Sequence, residues 1–207
     1  MANCIMRNNF RSAVGGLALF VCAGVSHANL ITNGGFETGS FSGWTTNALA
    51  CSGVGSSAAT AVPGCIGIDV DPHAHSGFNA AYLGTYGGGG SISQAFSTIA
   101  GQMYTVNFFL ANASYQGVTT PNDFLVQWNG VTSLLHLINS PVLGYSGYTF
   151  SAVAAGSTSS LSFTNQQNPS YWILDDVSVN SAVPEPGTLA LLGLGLAGLG
   201  FIRRKRV

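Results

Sequence analysis

Short runs of alternating apolar and polar residues recur through the middle of the chain, between clusters of Gly, Asn, Pro and Ser. In one run, Tyr104, Val106, Phe108 and Leu110 would share one face of a strand. Many short strands separated by turns, without a helical pattern of useful length, are typical of sandwiches and barrels. We therefore predict an all-β domain with a jelly-roll β-sandwich fold.

The predicted strands are Leu30–Ile31, Gly43–Thr46, Ile66–Val70, Ala80–Gly84, Ser91–Phe96, Tyr104–Ala111, Phe124–Trp128, Leu134–Leu137, Tyr148–Val153, Ser159–Phe163 and Trp172–Val179. The pair Asn129-Gly130 separates two of these runs, and Asn-Gly is the strongest short-range signal for a β-hairpin.

Cationic residues occur only at the two ends of the chain, as Arg7, Arg11 and the cluster 203–206. The net charge of −1 hides this, because the six carboxylates of the segment 29–182 have no Lys or Arg among them. Nucleic acids and other polyanions bind mainly through Lys and Arg, so we expect no nucleic-acid partner. Neutral ligands and cations are better suited to this segment.

The N-terminus has the three parts of a secretory signal. Arg7 and Arg11 precede the apolar run AVGGLALFVCAGV, and Ser26 and Ala28 supply small residues at the −3 and −1 positions. We predict a signal peptide at residues 1–28, removed by signal peptidase, and an exported β-sandwich domain at 29–182. A short buried helix is the alternative interpretation of the apolar run.

The C-terminus predicts a single membrane span. Residues 187–202 carry no charge and follow Pro186. As a helix rising about 1.5 Å per residue they would span roughly 24 Å of a hydrocarbon core roughly 30 Å thick. The tail 203–207, with its four basic residues at 203–206, would remain cytoplasmic. The preceding domain would then be exported across the inner membrane while the tail stays in it.

The order of motif, span and basic cluster resembles the PEP-CTERM sorting signal of Gram-negative bacteria, a tail also labelled ice-binding protein C-terminal domain. The sorting motif would be Val183, Pro184, Glu185 and Pro186, within the tail 183–207. The resemblance implies recognition by an exosortase, processing near Pro-Glu-Pro, and a final site at the cell surface or in the extracellular matrix. Proteins with this tail are often linked to exopolysaccharide and biofilm.

Three further segments resemble galactose-binding-like jelly rolls, which include carbohydrate-binding modules. These are Leu30–Glu37 with Gly43-Trp44, then Gly90–Phe96 followed by Ala100–Val106, and finally Trp172–Val179. The resemblance implies the jelly-roll fold and a neutral polysaccharide as ligand. It also implies a structural Ca²⁺ near the junction of the first and last strands.

Glu37 and Asp176 would meet if the first and last strands lie side by side. Carboxylates without cationic partners repel one another unless they are protonated or bind a metal, and their hard oxygens favour Ca²⁺. Asp175 and Asp176 should point to opposite faces of their strand, so we expect only Asp176 to be a main ligand. The alternative is that these acids only cap turns.

A second cluster of metal-ligating residues is Asp69, Asp71, His73 and His75. Alternation would place these side chains on one face of an extended segment, where they could bind Zn²⁺ or another transition metal. Pro72 interrupts regular strand pairing, and a turn without a metal is the alternative interpretation.

Two cysteines, Cys51 and Cys65, remain after the signal peptide takes Cys4 and Cys22. An even number in an exported domain predicts a disulfide. It would close a loop of about 15 residues and stabilise the domain by about 3 kcal/mol in the chain-entropy model.

Aromatic rings supply the stacking surfaces that sugars prefer, and Tyr82 and Tyr86 beside a glycine tract are candidate ligand-binding residues.

Catalytic signals are weak, since the Gly-Tyr-Ser-Gly sequence at 144–147 falls one position short of a nucleophile elbow. We therefore expect a surface-sorted protein that binds neutral polysaccharide and is not an enzyme. The alternatives are a structural biofilm protein without a ligand site and a metal-dependent hydrolase.

Overall fold

The computed structural model describes residues 28–49, 51–57, 73–85, 88–113, 121–167 and 170–181. The predicted signal peptide, the sorting motif 183–186 and the span 187–202 lie outside these residues, as does the predicted strand Ile66–Val70. Within the described ranges, no helix has the length and apolar character needed to cross a membrane.

In the described ranges, ten antiparallel strands form two five-stranded sheets, which confirms the predicted jelly-roll β-sandwich. The strands are β1 (Thr45–Asn47), β2 (Ser52–Gly55), β3 (Ala80–Leu83), β4 (Gly90–Ser97), β5 (Met103–Asn112), β6 (Asn122–Trp128), β7 (Thr132–Ile138), β8 (Leu143–Val153), β9 (Thr158–Gln167) and β10 (Trp172–Ser181). Sheet A has the order β1-β4-β9-β6-β7, and sheet B has the order β2-β3-β10-β5-β8.

The core lies between the two sheets and is rich in aromatic rings. On β5 the predicted inward face is confirmed, because Tyr104, Val106, Phe108 and Leu110 are all buried. Phe108 packs edge-on against Phe163 of β9, with ring centroids 5.3 Å apart. Contacts of this kind join sheet B to sheet A and add to the stabilisation from burying the rings.

The β6–β7 hairpin turns at the predicted Asn-Gly pair. Asn129 and Gly130 have φ values of 54° and 69°, which a type I′ turn requires of both central residues. The N–H of Val131 donates to the carbonyl of Trp128 at 3.3 Å and closes the turn.

Two short strands differ from the prediction. β2 was not predicted, because its sequence Ser-Gly-Val-Gly has no apolar alternation and it forms only by pairing with β3. β1 begins at Thr45 rather than Gly43, since Gly43 has a φ of 84° and lies in a turn.

The opening segment lies beside the last strand, as predicted, although residues 30–31 are not part of a regular strand. The N–H of Leu30 donates to the carbonyl of Val179 at 2.9 Å, and the N–H of Val177 donates to the carbonyl of Gly34 at 2.9 Å. A Cβ on Gly34 would overlap the carbonyl oxygen of Val177. The contact between the two segments therefore requires glycine at this position.

We expect Gly34→Ala to destabilise the domain by about 3 kcal/mol, because the added methyl can be accommodated only by moving the backbone of β10 away. Chemical denaturation would measure the loss. Gly144→Ala is the matched control, since nothing lies within 4 Å of a Cβ there. Equal stabilities for the two variants would show that the close approach at Gly34 is not needed.

Candidate functional site

Three acidic side chains surround Gly35 and are here called the carboxylate cluster: Glu37, Asp175 and Asp176. A Cβ on Gly35 would lie 3.6 Å from Oδ1 of Asp176, 3.9 Å from Oδ1 of Asp175 and 3.9 Å from Cγ of Glu37. The pairing of the opening segment with β10 produces this arrangement. Glu37 and Asp176, the residues predicted to bind Ca²⁺, are thus brought to the same glycine.

A β-bulge in β10 places both aspartates against one loop. The register between β10 and β5 shifts between Asp175 and Ser178, and Asp176 has a φ of 52°. Oδ2 of Asp175 accepts from the backbone N–H groups of His75 at 2.9 Å and Ser76 at 3.1 Å. The carboxylate of Asp176 accepts from Nδ1 of His75 and the hydroxyl of Ser76, both at 2.7 Å. The expectation that the two acids point to opposite faces is therefore wrong, because the bulge interrupts strand alternation.

Glu37 fastens the other half of the same loop. Its Oε1 accepts from the N–H groups of Phe78 at 2.8 Å and Asn79 at 2.9 Å. Gly77 lies between these contacts and the aspartates, with a φ of 62°, and a Cβ there would overlap the Glu37 carboxylate. The three acids thus hold residues 75–79 mainly through N–H donors, in the manner of the turn-capping alternative.

The carboxylate cluster has the oxygen chemistry that Ca²⁺ prefers, but it is not a complete set of side-chain ligands. The described part of the chain contains no group of three or more His, Cys, Asp or Glu side chains positioned to hold a metal ion. Because Ca²⁺ takes six to eight oxygens, backbone carbonyls and water would have to complete its shell. Calcium binding by Glu37 and Asp176 stays a prediction.

Asp175 is fully buried, unlike its neighbour Asp176. Burial raises the pKa of Asp175 to about 6, and the charge of Asp176 adds to this, although N–H donors from Ser76, Asp176 and His75 lower it. Sequence analysis favoured Asp176 over Asp175 as the main Ca²⁺ ligand. The burial of Asp175 depends on the loop 75–79. Because this loop is distant in sequence, no local pattern around Asp175 could predict the burial.

His75 does not lie in a metal site within the described residues. Its ring stacks on Phe109, with centroids 3.5 Å apart and an interplanar angle of 14°, and its edge meets Tyr145. The stacking and the bond to Asp176 hold the imidazole in place. Asp69 and Asp71 lie outside the described residues, so the prediction of a transition-metal site with His73 stays open.

Tyr82 is fully buried, so the prediction that it stacks on a ligand is wrong. It belongs to a small apolar cluster on the outer side of sheet B and meets Tyr171 edge-on at 6.3 Å. All four residues of β3 are buried, and Ala74 and Tyr171, which lie outside the strands, pack with its outward side chains. Tyr86, the other residue of this prediction, lies outside the described residues.

Cys51 is disulfide-bonded. The partner lies outside the described residues, as does Cys65, so the pairing of Cys51 with Cys65 stays a prediction.

The outer side of sheet A carries a broad, mostly hydrophilic surface without Lys or Arg, which sequence analysis did not identify; we call it the polar face. Its side chains alternate with buried inward residues along β4, β6 and β9. The polar face includes Ser91, Ser93, Asp123, Leu125, Gln127, His136, Ser160, Ser162, Thr164 and Gln166, and it shares the outer side of the sheet with the exposed apolar residues Ala95 and Ile138. The available signal was the serine at alternate positions of two predicted strands, but it becomes a surface only when β4, β9 and β6 are paired.

Cross-strand register orders the polar face into rows. One row runs from Ser91 through Thr164 and Leu125 to His136, and the next runs from Ser93 through Ser162 to Gln127. At the edge, Nε2 of His136 lies 2.9 Å from Oδ2 of Asp123, and both side chains are partly exposed. No aromatic ring points outward from the strands that form this face.

The fold resembles that of solved carbohydrate-binding modules. TmCBM61, solved in complex with β-1,4-galactotriose, is 18% identical, with a TM-score of 0.52 over 74% of this chain and 99% of that one. The CBM22-1 xylan-binding domain of Paenibacillus barcinonensis Xyn10C is 14% identical, with a TM-score of 0.44 over 78% of this chain and 99% of that one. The likeness to TmCBM61 supports the jelly-roll fold. A comparison with curated proteins finds no match.

The tail matches the family described as the PEP-CTERM protein-sorting motif over residues 182–206. The match confirms the resemblance of this tail to the PEP-CTERM sorting signal. The motif implies an exported protein sorted to the surface of a Gram-negative cell.

The raised pKa of Asp175 predicts a stability that falls as pH rises, in metal-free buffer. Its folded pKa of about 6 exceeds the reference value of 3.8, so the folded state binds more protons between these values. The contribution is fully present below pH 4 and is lost as pH rises through about 6, by on the order of 3 kcal/mol. Urea denaturation with chelator from pH 4 to 7.5 would measure it.

Asp175→Asn is the control for this titration, because the amide keeps an acceptor oxygen but does not ionise. Its stability should vary less with pH than that of the wild type. Parallel profiles for the two proteins would contradict the assignment.

Proposed function

We propose that the exported domain binds neutral carbohydrate through the polar face of sheet A, at the cell surface or in the extracellular matrix. The observation that carries this proposal is the composition of the face, in which hydroxyl and amide groups lie in rows with one carboxylate–imidazole pair. Binding, rather than catalysis, is the proposed activity.

The chemistry of the polar face suits sugar hydroxyls, which both donate and accept hydrogen bonds. Asp123 offers acceptor oxygens, Gln127 offers a donor and an acceptor, and Thr164 offers a hydroxyl. Leu125 lies among them and provides an apolar contact for the C–H groups of a sugar ring. Asp123 also disfavours anionic sugars, and the domain has no Lys or Arg to attract them.

Two independent observations support a carbohydrate ligand. The fold resembles a module that was solved with β-1,4-galactotriose, a neutral oligosaccharide. The sorting motif would deliver the domain to the surface, where exopolysaccharide is available. We infer further that signal peptidase cleaves before Asn29. The C-terminus would stay cytoplasmic, with the tail in the inner membrane, until an exosortase processes it.

We expect saturable binding of the oxidised domain to at least one neutral polysaccharide, and not to alginate or heparin. A glycan array followed by calorimetry would measure it. Asp123→Asn and Gln127→Ala should each weaken binding about tenfold, the equivalent of one lost hydrogen bond. Asn180→Ala, which removes an amide from sheet B, is the matched control and should leave affinity unchanged.

Equal losses for Gln127→Ala and Asn180→Ala would place the ligand elsewhere on the domain. If the folded wild-type domain bound no neutral polysaccharide, the proposal of carbohydrate binding would be wrong. The second candidate function, a structural matrix protein without a sugar site, would then be favoured. The absence of outward-facing aromatic rings on the described strands of the polar face is the observation that supports this candidate.

We also propose that the carboxylate cluster binds a structural Ca²⁺ through Glu37 and Asp176. Three acids near one glycine without a Lys or Arg partner support this, as does the second oxygen of Glu37, which accepts no hydrogen bond from the described residues. The ion would supply the positive charge that the domain lacks, and it would fasten the opening segment to β10.

Calcium should therefore raise the stability of the domain, by about 2.7 kcal/mol at a concentration 100 times the Kd, and chelator should reverse this. Thermal melting with Ca²⁺ or chelator would measure the effect. Glu37→Gln should abolish the calcium-dependent increment, whereas Asp123→Asn should retain it. A wild-type melting temperature unaffected by Ca²⁺ would mean that these acids only cap the loop 75–79.

A further inference from the structure

One end of the sandwich gathers three turns beside the point where the chain leaves β10; we call it the tail-side end. The turns are residues 98–102, 129–131 and 154–157. Strand register places them together with Ser181, the last residue of β10, because Ser181 pairs with Tyr104 while Met103 pairs with Val153. The tail-side end is therefore the end of the domain from which the chain continues toward the sorting motif.

Backbone hydrogen bonds join two of these turns into a firm surface. The N–H of Thr98 donates to the carbonyl of Ser157 at 2.9 Å, and the N–H of Gly101 donates to the carbonyl of Ala154 at 2.8 Å. The N–H of Ala154 donates in return to the carbonyl of Gln102 at 3.0 Å. The side chains carried by these turns are thus displayed from an ordered backbone.

The tail-side end exposes large aliphatic side chains. Four of the seven exposed large hydrophobic residues of the described domain lie here: Ile99, Met103, Val131 and Val153, which are 67%, 48%, 82% and 55% exposed. A mostly apolar recess of about 370 Å³ opens beside them, lined in part by Leu30, Ile99 and Tyr104. Exposed apolar groups concentrated at one end of a soluble domain indicate a contact surface.

No charged residue lies in the three turns. The four described acids, Glu37, Asp123, Asp175 and Asp176, lie in the middle or toward the opposite end of the sandwich. The tail-side end is thus apolar and uncharged, and it carries nothing that anionic lipid headgroups would repel.

The short connection between β10 and the predicted span indicates which partner the tail-side end can contact. Only residues 182–186 separate Ser181 from the predicted span, and five residues reach at most about 17 Å. β10 alone has 10 residues, about 33 Å at the usual strand rise. While the span is in the membrane, the tail-side end is therefore held within about 17 Å of the start of the span, whereas the opposite end can lie farther from the bilayer.

We propose that the tail-side end contacts the lipid interface of the inner membrane before the tail is processed, through Ile99, Met103, Val131 and Val153. This inference rests on the membrane-held stage of the proposed function. Each aliphatic contact is weak, but the tether makes the encounter intramolecular and gives it a high effective concentration. Once the tail is cut, the contact is lost and the domain leaves the membrane.

The test uses the mature unprocessed chain, residues 29–207, reconstituted in nanodiscs with lipids that carry a quencher on their acyl chains. Single cysteines introduced by Ile99→Cys or Val131→Cys would carry a fluorophore, with the native cysteines kept oxidised. Val142→Cys is the matched control. Val142 is also an exposed aliphatic residue, but it lies at the end of the sandwich opposite the tail-side end. We expect severalfold stronger lipid quenching at 99 and 131 than at 142, and weaker quenching by aqueous iodide.

Alkaline extraction distinguishes the ways in which the proposal can fail. A chain that resists extraction but shows equal quenching at 99, 131 and 142 would overturn the lipid contact and leave the membrane-held stage intact. A chain that is extracted would overturn both. Shielding of 99 and 131 from iodide only when an exosortase is added, without lipid quenching, would overturn the lipid assignment and identify the enzyme as the partner.

Discussion

The close pairing of the opening segment with β10 is the contact on which the other features of this domain depend. It requires glycine at position 34, because the carbonyl of Val177 occupies the space of a Cβ. The pairing brings Glu37 to the bulge at Asp175 and Asp176, and it completes the side of the sandwich where the loop 75–79 is fastened. It also brings Leu30 to the tail-side end, so that the start and the exit of the domain lie together.

The absence of cations determines how the buried acids are stabilised. In most domains a buried aspartate has an Arg or Lys partner, but among the described residues Asp175 has only N–H donors, and its ionisation remains costly. Protons and divalent cations are the remaining sources of positive charge. The same lack of cations leaves sheet A with a surface suited to neutral ligands, so one feature of composition governs both the interior acids and the outer face.

Sequence analysis identified those parts of the structure that local pattern determines. The alternation of apolar and polar residues predicted the inward face of β5, and the Asn-Gly pair predicted the β6–β7 hairpin. It could not give β2, whose pairing with β3 is its only support, or the burial of Tyr82, since alternation assumes that a sheet has one open side. It also assigned Asp175 and Asp176 to opposite faces, because a bulge is set by the partner strand and has no reliable local pattern.

The two proposed surfaces fit one topological requirement. A domain delivered with its C-terminal end at the membrane must keep any matrix ligand clear of the bilayer, and the side of a sandwich meets this requirement better than its tail-side end. The polar face lies along the strands of sheet A, whereas the exposed aliphatic residues are concentrated where β10 ends. The positive charges that fix orientation are confined to the predicted signal and tail. Removing these two segments would therefore leave a domain without Lys or Arg and with its polar face unchanged.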